Sequence, residues 1–293
     1  MKKIVGITAL IICMVFTAAA CGANPAASVP SQGTQASAQE TQTAIMPSAG
    51  AAVSGKVSMS GSTSMEQIAN ALKEAFMIKY PQVTVDVQLG GSSVGVQDAQ
   101  SGKSDIGNVS RELKAEETGL TENKVAIDGI AIVVNPANKV KEIKKDDLAK
   151  IYSGEINNWK DVGGEEQPIV VIGREASSGT RGAFEELLAV KDKCKYAQEL
   201  NETGAVKTAV SATPAAIGYV SLEAIDDTVT TLKVDGSDAT EEAIKAGKYP
   251  LSRPFLMVTK EGEARPEVQA FIDFVLSTDG QKIVADNKLI TVS

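Results

Sequence analysis

The feature that most constrains this chain is a junction that recurs along it. Apolar runs with strand character end in clusters of glycine, serine and threonine, and helix-patterned sequence follows directly. Val83, Val85, Val87 and Leu89 alternate as a strand does, and Gly90-Gly91-Ser92-Ser93-Val94-Gly95-Val96 follows. Further strands are expected at 130–134, 168–172, 217–220 and 254–259. Met65, Ile68, Leu72 and Phe76 recur at helical spacing, and helices are expected at 145–152, 180–189, 203–211 and 266–276. Pro266 stands at a favoured first-turn position. This alternation predicts an α/β protein with parallel sheets and no internal repeat.

The N-terminus is of another kind. Lys2 and Lys3 precede an uncharged, largely apolar run from Ile4 to Ala20, the pattern of an export signal. It closes on Ala18-Ala19-Ala20-Cys21, which resembles a bacterial lipobox with alanine in place of the usual leucine. An ordinary secretory signal with an incidental cysteine is the alternative. In the lipobox reading residues 1–20 are removed and Cys21 carries the lipid, holding the chain at the membrane surface without a spanning helix. Residues 21–54 continue in Ser, Ala, Gln, Thr, Gly and Pro with Glu40 as the only charge, so they read as a flexible tether. Cys13 leaves with the signal and Cys21 is acylated, so only Cys194 remains and no intramolecular disulfide can form.

Composition excludes several classes. The chain of 293 residues has 29 Lys+Arg against 37 Asp+Glu, a net charge of −8 that becomes −10 without the signal. That argues against a nucleic-acid binder. The absence of histidine excludes a Ser-His-Asp triad, a Cys-His pair and histidine-ligated zinc. No Gly-x-Ser-x-Gly elbow appears either, so a serine hydrolase or phosphatase would lack both its turn and its usual base. No catalytic residue, cofactor or metal ligand is assigned.

The candidate chemistry lies in four clusters. Ser60-Gly61-Ser62-Thr63-Ser64 opens the first helix, where backbone N–H groups and the helix dipole favour an anion; a plain N-cap is the other reading. Gly90–Val96 is the second. Asp105-Ile106-Gly107-Asn108-Val109-Ser110-Arg111 is a short strand ending in polar residues, with Arg111 either beside a site or on the surface. Gly173-Arg174-Glu175-Ala176-Ser177-Ser178-Gly179-Thr180-Arg181 is the strongest. Arg174 can grip an oxyanion with two prongs, while Ser178, Gly179 and Thr180 present donors at a helix start. No Gly-Lys-Ser/Thr follows the glycine, so this is not a nucleotide-binding Walker A loop. Together the clusters point to a small oxyanion held by dipoles, hydroxyls and one or two arginines.

These clusters, with Ile-Tyr-Ser-Gly-Glu-Ile-Asn-Asn-Trp-Lys-Asp-Val-Gly-Gly at 151–164, resemble the phosphate-binding proteins of phosphate-specific ABC transporters, in particular the lipoprotein form of Gram-positive bacteria. The resemblance spans about residues 55–293. It implies a two-lobe, periplasmic-binding-protein-like (type II) fold with two crossover strands and a cleft. On this chain the crossings would lie near 132–136 and 250–256, with lobe one at 55–133 plus 254–293 and lobe two at 134–253. It implies high-affinity capture of inorganic phosphate outside the membrane and delivery to a permease. Contacts would come from Thr63, Ser64, Ser92, Ser110, Arg174, Ser178, Gly179 and Thr180. Many members carry an aspartate at the position matching Ser110, where it accepts a phosphate proton and thereby rejects sulfate. Asp105, Asp128 and Glu175 are the candidates to replace it. Binding of sulfate, molybdate or tungstate, or a sensor built on the same cleft, are the alternatives. Trp159, the 162–164 turn and Tyr219 read as packing, and Cys194 as inert.

Overall fold

The computed structural model describes residues 53–292; the signal, Cys21 and nearly all of the tether lie outside the described residues. Strand β1 (Gly55–Gly61) leads through a single 3-10 turn, Thr63–Met65, into helix α1 (Glu66–Lys79). Ile68, Leu72 and Phe76 bury the apolar face that their spacing predicts. Strand β2 (Val83–Leu89), helix α2 (Ser92–Ser101) and strand β3 (Ile106–Val109) follow. The long strand β4 (Leu120–Val134) precedes β5 (Glu142–Ile143) and α3 (Lys145–Ser153). Next come β6 (Val170–Arg174), α4 (Gly179–Leu187), β7 (Gln198–Leu200), α5 (Thr203–Ala212) and β8 (Ala216–Ser221). Short β9 (Thr230–Thr231), β10 (Lys233–Val234) and α6 (Glu241–Lys245) lead to the second long strand, β11 (Ser252–Lys260). The described chain ends with α7 (Pro266–Leu276) and α8 (Thr278–Asp286).

The main sheet runs β2-β1-β3-β11-β4-β8-β6-β7, with β9 also pairing to β4. The expected parallel sheet is mixed. β1 pairs parallel with β2 and β3, and β6 pairs parallel with β7 and β8. β11 runs antiparallel to β3 and β4, and β4 antiparallel to β8. The reversal has a simple cause: β4 and β11 carry the chain from one half of the molecule to the other in opposite directions. Residues 120–129 of β4 pair with β11, and residues 130–134 pair with β8.

Each half has its own apolar core. Met59, Leu72, Phe76, Ile106, Phe255, Met257, Phe271 and Val275 fill the first. Ile132, Ile151, Tyr152, Trp159, Phe184, Ile217, Tyr219 and Leu251 fill the second. Trp159 is buried and its indole Nε1 donates to the Ala215 carbonyl at 2.9 Å. The Tyr219 ring stacks on Phe184 with centroids 4.2 Å apart.

The strand expected at 168–172 lies two residues later, at β6. Pro168 has no N–H to give a ladder and makes only an isolated bridge to Asn158. The shift makes Arg174 the last residue of a strand rather than part of a loop.

Candidate functional site

The strand ends, helix starts and serine-rich turns meet where the two halves face each other. From the first half, the turn at Thr63–Met65 is capped by Ser62, whose Oγ accepts from the Ser64 N–H at 3.3 Å. Gly91 precedes α2 with φ +85°, a conformation that favours glycine. A Cβ there would also meet the Ser177 carbonyl oxygen at 2.9 Å, so the backbone itself must make this approach. The Ser93 N–H donates to that same Ser177 carbonyl at 3.1 Å, joining the halves. From the second half, Ser178 caps α4 by accepting from the Arg181 N–H at 3.3 Å.

Two groups of hydroxyls result. In one, Ser62 Oγ donates to Ser110 Oγ at 2.7 Å, and Ser92 Oγ accepts from the Ser110 N–H at 3.0 Å. In the other, Ser64 Oγ lies 2.5 Å from Thr180 Oγ1 and 3.1 Å from Thr203 Oγ1, and Thr63 Oγ1 lies 3.2 Å from Thr203 Oγ1. Gly179 joins the groups. A Cβ on it would overlap Ser92 Oγ and come within 2.8 Å of Ser110 Oγ. All eight predicted residues are therefore brought to one buried locality. Ser178 enters it as a cap, with its hydroxyl directed at its own helix.

Arg174 is the charge of the site. Its Nε and Nη2 donate to the Leu200 and Asn201 carbonyls at 3.1 and 2.8 Å, and its Nη1 donates to Thr203 Oγ1 at 3.0 Å. Tyr219 OH accepts from its backbone N–H at 3.1 Å. The side chain is only 1% exposed, yet no carboxylate lies within ion-pair distance among the described residues. The other arginines are paired: Arg111 with Glu117, Arg181 with Glu185, Arg253 with Asp128 and Arg265 with Asp105. Burial brings the Arg174 guanidinium down to about 10, with nearby Arg253 contributing, so it stays charged at neutral pH.

Beneath the site lies a buried ion pair. Arg253 Nη2 and Nε donate to Asp128 Oδ2 at 2.9 and 3.1 Å. Asp128 Oδ1 accepts from Ser221 Oγ at 2.8 Å and the Leu222 N–H at 3.1 Å, and Arg253 Nη1 donates to the Ser110 carbonyl at 2.8 Å. The pair therefore ties β4, β8 and β11 to the end of β3.

None of the three acidic candidates stands free in the hydroxyl cluster. Asp105 sits at the opposite end of β3, bonded to Ser58 and Arg265. Asp128 is held by Arg253, and Glu175 accepts from Ser177 Oγ at 2.6 Å. Arg111 is neither a surface cation nor a free site charge: it is buried and bidentate to Glu117, at 2.7 Å for each oxygen. Cys194 is half-buried with its thiol pushed up to about 11 by burial.

Sequence reasoning missed Ser62, Thr203 and the Asp128–Arg253 pair. Ser62 lies inside a cluster singled out for its neighbours. Thr203 opens α5 after β7, a further strand-to-helix junction, but three residues of strand leave no alternation to detect. Among the described residues no group of His, Cys, Asp and Glu side chains could hold a metal ion, and no helix is long and apolar enough to cross a membrane.

Comparison with known proteins agrees with this architecture. Residues 46–279 match the model of a PBP superfamily domain. The chain is 37% identical over 250 residues to the phosphate-binding protein PstS of Bacillus subtilis, covering 82% of each chain. It is 32% identical over 256 residues to PstS of Borreliella burgdorferi, covering 80% of this chain and 90% of that one. A Clostridium perfringens protein, described as a phosphate ABC transporter substrate-binding protein and crystallised with bound phosphate, superposes with a TM-score of 0.80. It shares 43% identity and covers 82% of this chain and 100% of its own. An ABC-type phosphate transport receptor from Vibrio cholerae superposes with a TM-score of 0.69 at 36% identity, covering 80% and 99%. A two-lobe α/β architecture, a cleft lined by helix starts and relatives matched along most of their length place this chain in the PBP superfamily, among the PstS phosphate-binding proteins.

Proposed function

We propose that this chain captures inorganic phosphate outside the cell membrane and delivers it to the permease of an ABC transporter, without catalysing a reaction. The observation that carries the reading is Arg174. A buried cation with no carboxylate partner is costly to maintain unless an anion completes it. Its guanidinium is braced on two backbone carbonyls and donates to Thr203 Oγ1, which in turn lies within hydrogen-bond distance of the Thr63 and Ser64 hydroxyls of the first half. Thr63, Ser64, Ser92 and Ser110 supply donors from lobe one. Arg174, Ser178, Gly179 and Thr180, joined by Thr203, supply them from lobe two. A hydroxyl that bonds its neighbour can rotate its hydrogen toward an oxyanion.

Strand pairing supports lobe boundaries on β4 and β11. β4 exchanges β11 for β8 at Gly129/Ile130, and β11 begins at Ser252. The expected boundaries at 133/134 and 253/254 lie a few residues further along each strand. Anchoring through Cys21 rests on the Ala18–Cys21 pattern. Cys21→Ala is expected to release the protein from the membrane fraction without changing phosphate affinity; continued membrane association would overturn the lipid anchor.

A second reading is favoured by one observation: the cluster offers hydroxyls such as Ser110, while Asp105, Asp128 and Glu175 are each engaged by other partners. A site of that kind has less means to refuse sulfate, which carries no proton at neutral pH. Calorimetric titration with phosphate, repeated in saturating sulfate, tests both. Tight phosphate binding that survives sulfate supports the phosphate carrier. Sulfate competition transfers the site to a broader oxyanion class, and no signal from either anion overturns the binding function.

A further inference from the structure

Glu223 is a buried carboxyl without a cation. It follows β8 in a single 3-10 turn, Leu222–Ala224, and is 6% exposed. Buried Asp98 pairs with Lys103 and buried Glu185 with Arg181, whereas no Lys or Arg lies within ion-pair distance of Glu223 among the described residues. Its side chain turns to the other lobe. Oε1 accepts from the Gln67 N–H at 3.2 Å and Oε2 from the Ile68 N–H at 3.3 Å. These are first-turn groups of α1, which have no acceptor within their own helix. Met65 provides no side-chain cap there. The cap that α1 lacks in its own lobe comes from the opposite one.

We propose that Glu223 is a positioning residue for anion binding. Its carboxyl group clamps the first turn of α1 across the cleft, holding Thr63 and Ser64 in register with Arg174, Thr180 and Thr203. The inference rests on the phosphate reading above and adds a residue that touches no ligand. When the lobes part, the Gln67 and Ile68 N–H groups pass to water. The clamp therefore weights the closed, loaded arrangement and slows release. Asp128 opposes the charge on Glu223 and Arg253 favours it, so the clamp is wired to the ion pair beneath the site.

The test uses the purified full-length protein, with phosphate equilibrium binding and release rates measured for the natural chain, Glu223→Ala and Glu223→Gln. Loss of a cap predicts roughly 5- to 20-fold weaker phosphate binding for Glu223→Ala, mostly through faster release. Glu223→Gln keeps one acceptor and should lose less. Because the contact crosses the cleft, the phosphate-free Tm should stay close to that of the natural chain while the phosphate-induced rise shrinks. A fall in phosphate-free Tm with an unchanged phosphate-induced rise in both variants would mean a merely structural role and overturn the inference. Unchanged affinity in Glu223→Ala, with the natural chain binding tightly, would also overturn it. Failure of the natural chain itself to bind phosphate would overturn the phosphate reading and this inference with it.

Discussion

Arg174 differs from the other arginines of the described chain in what it lacks. Its geometry is fixed by two carbonyls and a threonine, and no carboxylate of the described residues pairs with its charge. Arg174→Ala is expected to weaken phosphate binding by about 3 kcal/mol, roughly 100-fold, since it removes the charge partner from a desolvated site. Titration checks this, and an unchanged affinity would mean the cleft is wrongly assigned. Arg174→Lys should rescue little, because an ammonium cannot satisfy the Leu200 and Asn201 carbonyls while reaching Thr203. Residue types were the most legible layer of this site. Serine, threonine and glycine at strand-to-helix junctions announce donors, and the arginine announces charge. Partnership was not legible. Arg111 follows a polar cluster in the sequence and Arg174 leads one, and only folding assigns Glu117 to the first and no acid within ion-pair distance to the second.

At the scale of elements, the site is a meeting of helix starts. α1 and α2 point in from one lobe and α4 and α5 from the other, and their dipoles add partial positive charge to the same place. The fit between α2 and α4 is tight enough to test. Gly179→Ala adds one methyl where Ser92 Cβ would lie 2.7 Å away. Alanine suits a helix, so the second lobe should fold unchanged while the methyl wedges the lobes apart. We expect phosphate affinity to fall at least about tenfold with little change in phosphate-free Tm. Equal affinity would show that the lobes close in another geometry. The elements themselves were unevenly legible. The helix at 266–276 was read to the residue because Pro266 marks its start and Val268, Phe271, Ile272 and Val275 mark its buried face. Residues 120–129 of β4 escaped notice because Glu122, Asn123, Lys124 and Asp128 interrupt the apolar pattern. That segment borders β11 and then the ion pair, where a charged side chain has a partner that no periodicity reveals.

At the scale of the molecule, two cores are joined by two long strands, and burial of charge at the junction couples stability to pH. Burial pushes the Glu223 carboxyl from 4.5 up to about 8, with Asp128 adding repulsion against the pull of the Gln67 and Ile68 N–H groups and Arg253. The folded chain therefore holds a proton that the unfolded chain has released. That contribution to stability is complete below the unfolded value and is lost as pH rises through about 8. Asp105 and Glu117, both lowered, act oppositely, but only under more acidic conditions, where they regain their protons. With phosphate bound, which holds Glu223 buried between the lobes, we expect Tm to decline between about pH 5 and pH 8, and Glu223→Gln to flatten that slope. A slope identical in the variant would assign it to another group.

The chain contains one tryptophan, and Trp159 is sealed in the core of the second lobe with its indole N–H already engaged. Its emission is thus a private gauge of that lobe. Ligand-driven closure should leave the spectrum almost unmoved, and its red shift during denaturation will time the melting of one lobe alone. Set beside circular dichroism, which averages over both, a lag or lead between the two traces would reveal whether the halves come apart together or in turn.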